Sequence, residues 1–186
     1  MSRVIAKNTR AASRHVRDVL QTLFASLLLD PPPRLWLVSA WVTDAAVIDN
    51  RAGEFAALVP TWPEREIVLS QVLAELAVRR TRMVVATNDH HANEAFVQAM
   101  RAATTLADRD DAVRLDRRPE VAFSEDPLLH RKRLVTDEVS LMGSMNFTYF
   151  GYERNAEDLR IDVDPAEVAA RVNELQQLYP ISLDAT

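Results

Sequence analysis

A chain of 186 residues with 48% hydrophobic content can bury one sizeable core, and residues 1–186 read as a single domain. It has no cysteine, which excludes disulfides and thiolate metal sites, and its net charge of −5 argues against tight non-specific nucleic-acid binding. The opening MSRVIAKNTR lacks the apolar core of a signal peptide, and no apolar run approaches a membrane span. The expected setting is the cytoplasm, with no membrane partner.

Residues 8–29 carry Val16, Val19, Leu20, Leu23, Phe24, Leu27 and Leu28 at helical spacing, with Arg10, Arg14 and Arg17 toward the solvated side. Asp30-Pro31-Pro32-Pro33 ends this helix, because proline cannot continue it. Leu35 to Val42 is almost entirely apolar and reads as a buried strand, with Trp36 and Trp41 as core residues. Around residues 45–63, Phe55, Leu58 and Val59 suggest a helical turn. Trp62 lies between Pro60 and Pro63 as a partner contact or a lid on the core.

Glu64 to Arg80 is predicted as a helix with Pro63 in its first turn. Arg82 to Thr87 is a second buried strand. Asn88-Asp89-His90-His91 follows it, then a helix from Asn93 to about Leu106. The Asp-His-His cluster lacks paired metal-ligand spacing and reads as helix capping by Asn88 or Asp89. Asp108 to Asp111 reads as a charged turn. Ala112 to Leu115 and Val121 to Phe123 are short strands flanking Arg117-Arg118-Pro119. Leu159 to Val163 gives a last strand near a sheet edge, and Pro165 opens a helix to about Leu178. Alternating strand and helix patterns predict an α/β domain, a mixed β-sheet covered by helices.

The chemistry concentrates between His130 and Glu157. Leu129 to Thr136 reads as a strand that puts His130, Lys132 and Leu134 on one face and Leu129, Arg133 and Val135 on the other. Asp137-Glu138 is a tight turn and Val139 to Met142 the returning strand. Gly143-Ser144 then breaks the strand and delivers Ser144 and Asn146 at its end. A neutral imidazole is a nucleophile near pH 7. A lysine, a serine, an asparagine and backbone N–H groups beside it suit the oxygens of a phosphodiester. A carboxylate such as Glu157 can fix the imidazole tautomer. The chain has 22 basic residues but only two lysines, Lys7 and Lys132, so a lysine at position 132 fits a need for a compact phosphate-binding cation.

His130-x-Lys132-x4-Asp137 followed by Gly143-Ser144-x-Asn146 resembles the HKD motif of the phospholipase D superfamily. The ending Asn146-Phe147-Thr148, with Glu157 downstream, is most similar to the small bacterial nuclease branch. The resemblance implies a phospholipase D-like mixed β-sheet flanked by helices on both faces. It implies that His130 attacks phosphorus to give a phosphohistidine and that Lys132, Ser144 and Asn146 hold the phosphate oxygens. Glu157 would orient His130, while Asp137 shapes the hairpin. The family pattern has six residues between Asp and Gly and this chain has five, which reads as a shortened turn. In such folds the first strand ends near the active site, which would bring Ser39, Trp41 and Thr43 to its border and put His90 and His91 on the same side.

The sequence has no second His-x-Lys. The family mechanism uses two, one attacking and one serving as general acid and then base. The resemblance therefore implies a homodimer that brings two His130 residues together, with no required metal or other cofactor. The expected activity is a phosphodiesterase, a nuclease acting on DNA. The second hypothesis is a non-catalytic phosphate- or DNA-binding subunit of a multiprotein DNA-processing complex. By overall likeness rather than any quotable motif, the chain also resembles the phospholipase D-like component of bacterial 7-deazaguanine DNA modification systems. Arg114, Arg117, Arg118, Arg131, Lys132 and Arg133 cluster around the motif, and acids follow it. This reads either as a basic rim or as solvated surface charge.

Overall fold

The computed structural model describes residues 2–110 and 121–182. The predicted strand Ala112 to Leu115 and the Arg117-Arg118-Pro119 turn lie outside the described residues. The elements run β1 (Ser2–Lys7), α1 (Arg10–Leu29), β2 (Arg34–Ser39), β3 (Ala46–Asp49), β4 (Glu66–Val68), α2 (Leu69–Val78), β5 (Arg82–Thr87), α3 (Ala92–Asp110), β6 (Val121–Glu125), β7 (Lys132–Thr136), β8 (Ser140–Gly143), α4 (Tyr149–Glu153), β9 (Glu157–Asp162) and α5 (Pro165–Leu178). A 3-10 turn at Glu54–Ala57 accounts for the helical signal around Phe55.

Among the described residues, seven strands form one mixed sheet in the order β1-β9-β8-β7-β2-β5-β6, and β3 and β4 form a separate antiparallel pair. β2, β5 and β6 are mutually parallel, whereas β7, β8, β9 and β1 join by successive antiparallel pairings. This direction pattern decides where the site lies. The C-terminal ends of β1, β2, β5, β6 and β8 reach the same end of the sheet as the N-terminal ends of β7 and β9.

Helices cover both faces. On one face, Val16, Leu20 and Phe24 of α1, Val72, Leu73 and Leu76 of α2, and Phe96 and Met100 of α3 pack on Leu35, Leu37, Met83, Val85, Leu134 and Leu141. On the other, Val168, Val172 and Leu175 of α5 pack on Trp36, Val38, Val84 and Val135. Trp36 is fully buried there, and its Nε1–H donates to the Tyr179 carbonyl at 2.8 Å. The two apolar layers are why β2 and β5 read as continuous hydrophobic runs.

Local signals act as expected at several termini. Thr9 caps α1 by accepting from the Ala12 N–H at 3.1 Å, and Asp164 caps α5 with Pro165 in its first turn. Other expectations need correction. The helix predicted from Glu64 starts at Leu69, because Ile67 pairs with Ile48 in the β3–β4 ladder and is fully buried. Residues 108–110, expected as a turn, continue α3. The expectation that Leu159 to Val163 lies near a sheet edge holds, with β9 one strand in from the edge strand β1, which pairs along its whole length. Trp41 is not a core residue; it is 48% exposed.

Candidate active site

Strand β7 begins at Lys132, so His130 sits in the segment just before it, exposed, while Lys132 is buried. Lys132 pairs with Ser39 across the β2–β7 ladder and shares its face with Leu134, as the alternation of the strand requires. Arg133 and Val135 take the opposite face. Lys132 Nζ lies 3.1 Å from His130 Nδ1 and donates to the His130 carbonyl at 2.5 Å. A charged ammonium has only donors, so this contact makes Nδ1 the acceptor and leaves the proton of a neutral ring on Nε2. Burial lowers the Lys132 pKa, and the charge of Glu157 opposes that fall.

The hairpin β7–β8 returns the chain to the same sheet end. Its turn is held by Thr136, whose hydroxyl accepts from the N–H groups of Glu138 and Val139 at 3.2 Å each. Asp137 lies at this turn, at the far end of β7 from Lys132, where it pairs with Arg34. It is therefore remote from the imidazole, and its partner is on β2. The five-residue spacing to Gly143 is accommodated by this tight turn, with Arg133 opposite Met142 in unbroken register.

At Gly143 the backbone of β9 comes so close that any Cβ would overlap the Asp158 carbonyl oxygen. That approach lets the Ser144 N–H donate to Asp158 O at 3.0 Å, while Ser144 Oγ accepts from the Asp158 N–H at 3.0 Å. Ser144 Oγ also donates to Glu157 Oε2 at 2.5 Å. Glu157 thus meets Ser144, and no hydrogen bond joins it to His130 among the described residues. Asn146 Oδ1 lies 3.4 Å from both the Trp41 N–H and Ser39 Oγ. The following Phe147 is buried, and its carbonyl accepts from the Thr43 N–H at 2.9 Å. Ser39, Trp41 and Thr43 therefore border the site as expected.

Lys7 belongs to this site and was not foreseen. It ends β1 directly opposite Glu157, is 1% exposed, and donates to the Gly151 and Tyr152 carbonyls at 2.7 and 3.0 Å. Burial lowers its pKa; Glu157 and Glu153 oppose the shift. Both lysines of the chain thus lie in the field of one carboxylate. The sequence held one signal for this, the scarcity of lysine itself.

The cation cluster read around the motif is partly neutralised. Arg131 and Arg133 both pair with Glu174 of α5, at 3.2 and 2.7 Å. His90 Nδ1 accepts from the Ala92 N–H at 3.1 Å, so the residue capping α3 is His90 itself, with Asn88 Oδ1 accepting from the His90 N–H at 3.2 Å. No described helix is long and apolar enough to cross a membrane.

A mixed sheet with helices on both faces, carrying a His-x-Lys and a Gly-Ser-x-Asn at one end, is the architecture of phospholipase D-like proteins. The chain belongs to that superfamily: a family model described as "Cardiolipin synthase, PLD-like domain" matches residues 46–179. Among solved structures it is similar to NucT from Helicobacter pylori, at 11% identity and a TM-score of 0.59, over 95% of this chain and 94% of that one. It is similar also to Nuc from Salmonella typhimurium, a phospholipase D family member, at 12% identity and a TM-score of 0.57, over 95% and 92%. Polyphosphate kinase from Porphyromonas gingivalis matches at 12% identity and a TM-score of 0.59, with the whole of this chain covering 24% of that one. No curated protein matches the chain in a sequence comparison. None of the three structures named here is described as part of a 7-deazaguanine system, and that likeness gains nothing from them.

Proposed function

We propose that the protein is a phosphodiesterase of the phospholipase D type, a nuclease that works as a homodimer with one catalytic set per chain. The observation that carries this is the convergence of His130, Lys132, Ser144, Asn146 and Glu157 on one sheet end in a chain with a single His-x-Lys. A phosphodiester enters with its anionic oxygens toward Lys132 Nζ, Ser144 Oγ and the Asn146 amide. Lys132 then leaves the imidazole for the phosphate, and the ring proton passes through water from Nε2 to Nδ1, which donates it toward Glu157. The lone pair falls on Nε2, which attacks phosphorus as the P–O bond to the leaving group breaks. The partner's imidazolium gives its proton to the leaving oxygen. That same imidazole next takes a proton from water, whose oxygen displaces His130 and yields a phosphomonoester. No step requires a metal.

The two-fold axis supplies the second imidazole and brings two Lys132 ammonium groups around one phosphate. Glu157 counters part of that charge. A DNA substrate fits the small size and the motif ending Asn146-Phe147-Thr148, which resemble the nuclease branch.

The test is cleavage of bis(4-nitrophenyl) phosphate by the purified protein in EDTA, with molar mass measured by light scattering. His130→Ala should abolish cleavage, the wild type should run as a dimer, and a phosphohistidine should be trapped by a denaturing quench at alkaline pH, where its P–N bond survives. A monomer that cleaves, or a dimer with unaltered cleavage after His130→Ala, would reject the mechanism. The reading as a non-catalytic subunit of a DNA-processing complex draws on the net charge of −5 and the Arg131 and Arg133 pairs to Glu174. It wins if the intact protein binds DNA and never cleaves.

A further inference from the structure

Trp41 is an exposed ring on a fixed backbone. It lies two residues past Ser39, and its N–H reaches Asn146 Oδ1 at 3.4 Å while its carbonyl accepts from Ser39 Oγ at 2.8 Å. The residues either side are pinned by buried Asn93. Its Nδ2 donates to the Ala40 carbonyl at 3.0 Å, and its Oδ1 accepts from the Val42 N–H at 2.9 Å. The ring itself stays 48% exposed. It leans on His90 at 6.0 Å between centroids, and His90 stacks on His91 at 4.4 Å with the planes 27° apart. Both imidazoles are exposed. Because His90 Nδ1 accepts from the Ala92 N–H, Nε2 of this exposed ring carries the proton when the ring is neutral.

Single surface aromatics are ordinary. Three rings in a row are different when the first hangs from the asparagine proposed to hold the phosphate. We infer that Trp41, His90 and His91 form a stacking platform for a nucleobase flanking the scissile phosphate, so that the substrate is single-stranded nucleic acid. This rests on the phosphodiesterase reading above. A base inside a duplex cannot expose its face to a protein ring, whereas single strands bind by laying bases on such rings. The charge balance favours the same conclusion. An acidic chain whose Arg131 and Arg133 are tied to Glu174 gains little from phosphate attraction, and stacking does not depend on charge. A polar edge at His90 Nε2 matches the rim of a base better than an acyl chain.

The experiment measures anisotropy of a fluorescein-labelled dT 12-mer and of its abasic counterpart, both with phosphorothioate linkages to slow cleavage. The readout is the ratio of their Kd values. In the wild type the dT 12-mer should bind roughly tenfold more tightly than the abasic strand, the order expected for one stacked base. The dT 12-mer annealed to a dA 12-mer should lose that advantage. Trp41→Ala should bring the ratio near one, and Trp41→Phe should keep most of it. A wild-type ratio of one overturns the platform without any variant, as does a ratio that survives in a folded Trp41→Ala protein. If phosphatidylglycerol vesicles bind in a Trp41-dependent way while the ratio is unmoved, the rings serve a lipid surface and the inference is wrong. Failure of the wild type to bind either strand or to cleave bis(4-nitrophenyl) phosphate sinks the underlying phosphodiesterase reading. Equal binding of both strands with cleavage intact sinks the platform alone.

Discussion

Lys7 and Glu157 face each other directly across the β1–β9 ladder. The lysine is almost wholly buried, and its ammonium is satisfied by the Gly151 and Tyr152 carbonyls of α4 rather than by solvent. It ties the outermost strand to the helix that follows the Gly-Ser-x-Asn segment, and it brings a positive charge to the carboxylate. Lys7→Met keeps most of the volume and removes both bonds. Hydrogen bonds to charged groups contribute about 1.5–3 kcal/mol, and at about 2–4 °C per kcal/mol for a chain of this length Tm should fall by roughly 3–12 °C. Differential scanning fluorimetry reads the first effect. The cleavage assay reads the second, a drop in kcat from the displaced α4 and Ser144. A variant as stable and as active as the wild type would leave Lys7 without a role.

Glu157 is the charge that opposes burial at Lys132. Burial alone lowers the lysine pKa, and the carboxylate raises it. In Glu157→Gln that support is gone, so the pKa falls further and Lys132 loses its proton at a lower pH. Activity that needs the ammonium should then fail earlier on the alkaline side. The pH–rate profile should show an alkaline limb displaced toward acid, together with a lower plateau from the loss of the Ser144 bond. The plateau should fall about 10²-fold if Ser144 and Lys132 stabilise transition-state charge. An unmoved limb would separate Glu157 from the electrostatics of the lysine.

The motif could be read because its residues are close in sequence. His130, Lys132, Ser144 and Asn146 lie on or beside a single hairpin, and the period-2 pattern of Leu134 and Val135 set the face of Lys132, although β7 starts at Lys132 and leaves His130 outside the strand expected from Leu129. Asp137 likewise went to the turn, where its partner Arg34 lies 103 residues away and could not be named in advance. What was hidden depends on distant pairing. β1 carries a buried lysine in place of an apolar residue and finds its partner strand some 150 residues later, so SRVIAK gave no strand pattern. α4 has only five residues, too few for a helical period. Trp41 follows a buried run and reads as its continuation, yet the chain leaves the sheet at Ser39 and turns the ring outward. The helix expected from Glu64 failed because pairing of Ile67 with Ile48 outweighed the helical preference of its neighbours.

Gly143 is required by the approach of β9, not by its own dihedral angles. A methyl group there would overlap the Asp158 carbonyl, so Gly143→Ala must open the β8–β9 ladder beside Leu159. Overpacking of this kind costs about 1–3 kcal/mol. The larger consequence is local, since the Ser144 N–H, Ser144 Oγ and Glu157 are all fixed by that ladder. Cleavage should fall further than stability explains, and urea denaturation set beside kcat compares the two. Full activity in a folded Gly143→Ala protein would show that Ser144 need not be held there.

Glu174 is the acidic hub between α5 and β7. Burial pushes its carboxyl up, but the bond from Arg133 and the charges of Arg133, Arg131 and Arg171 outweigh that and hold its pKa below the usual glutamate value. A depressed carboxyl stabilises the fold at pH values above its unfolded pKa of about 4.3 and stops doing so as pH falls through the folded value. Wild type should therefore exceed Glu174→Gln in Tm by several degrees at pH 7, because glutamine leaves Arg131 and Arg133 without this anion and Arg171 with Glu167 alone. The gap should narrow from about pH 4 downward, where the wild-type side chain takes up its proton and becomes nearly isosteric with glutamine. Thermal melts of both proteins from pH 3 to 8 measure it. A gap independent of pH would mean that Glu174 acts through packing against β7, and the ionic account of this helix–sheet contact would fail.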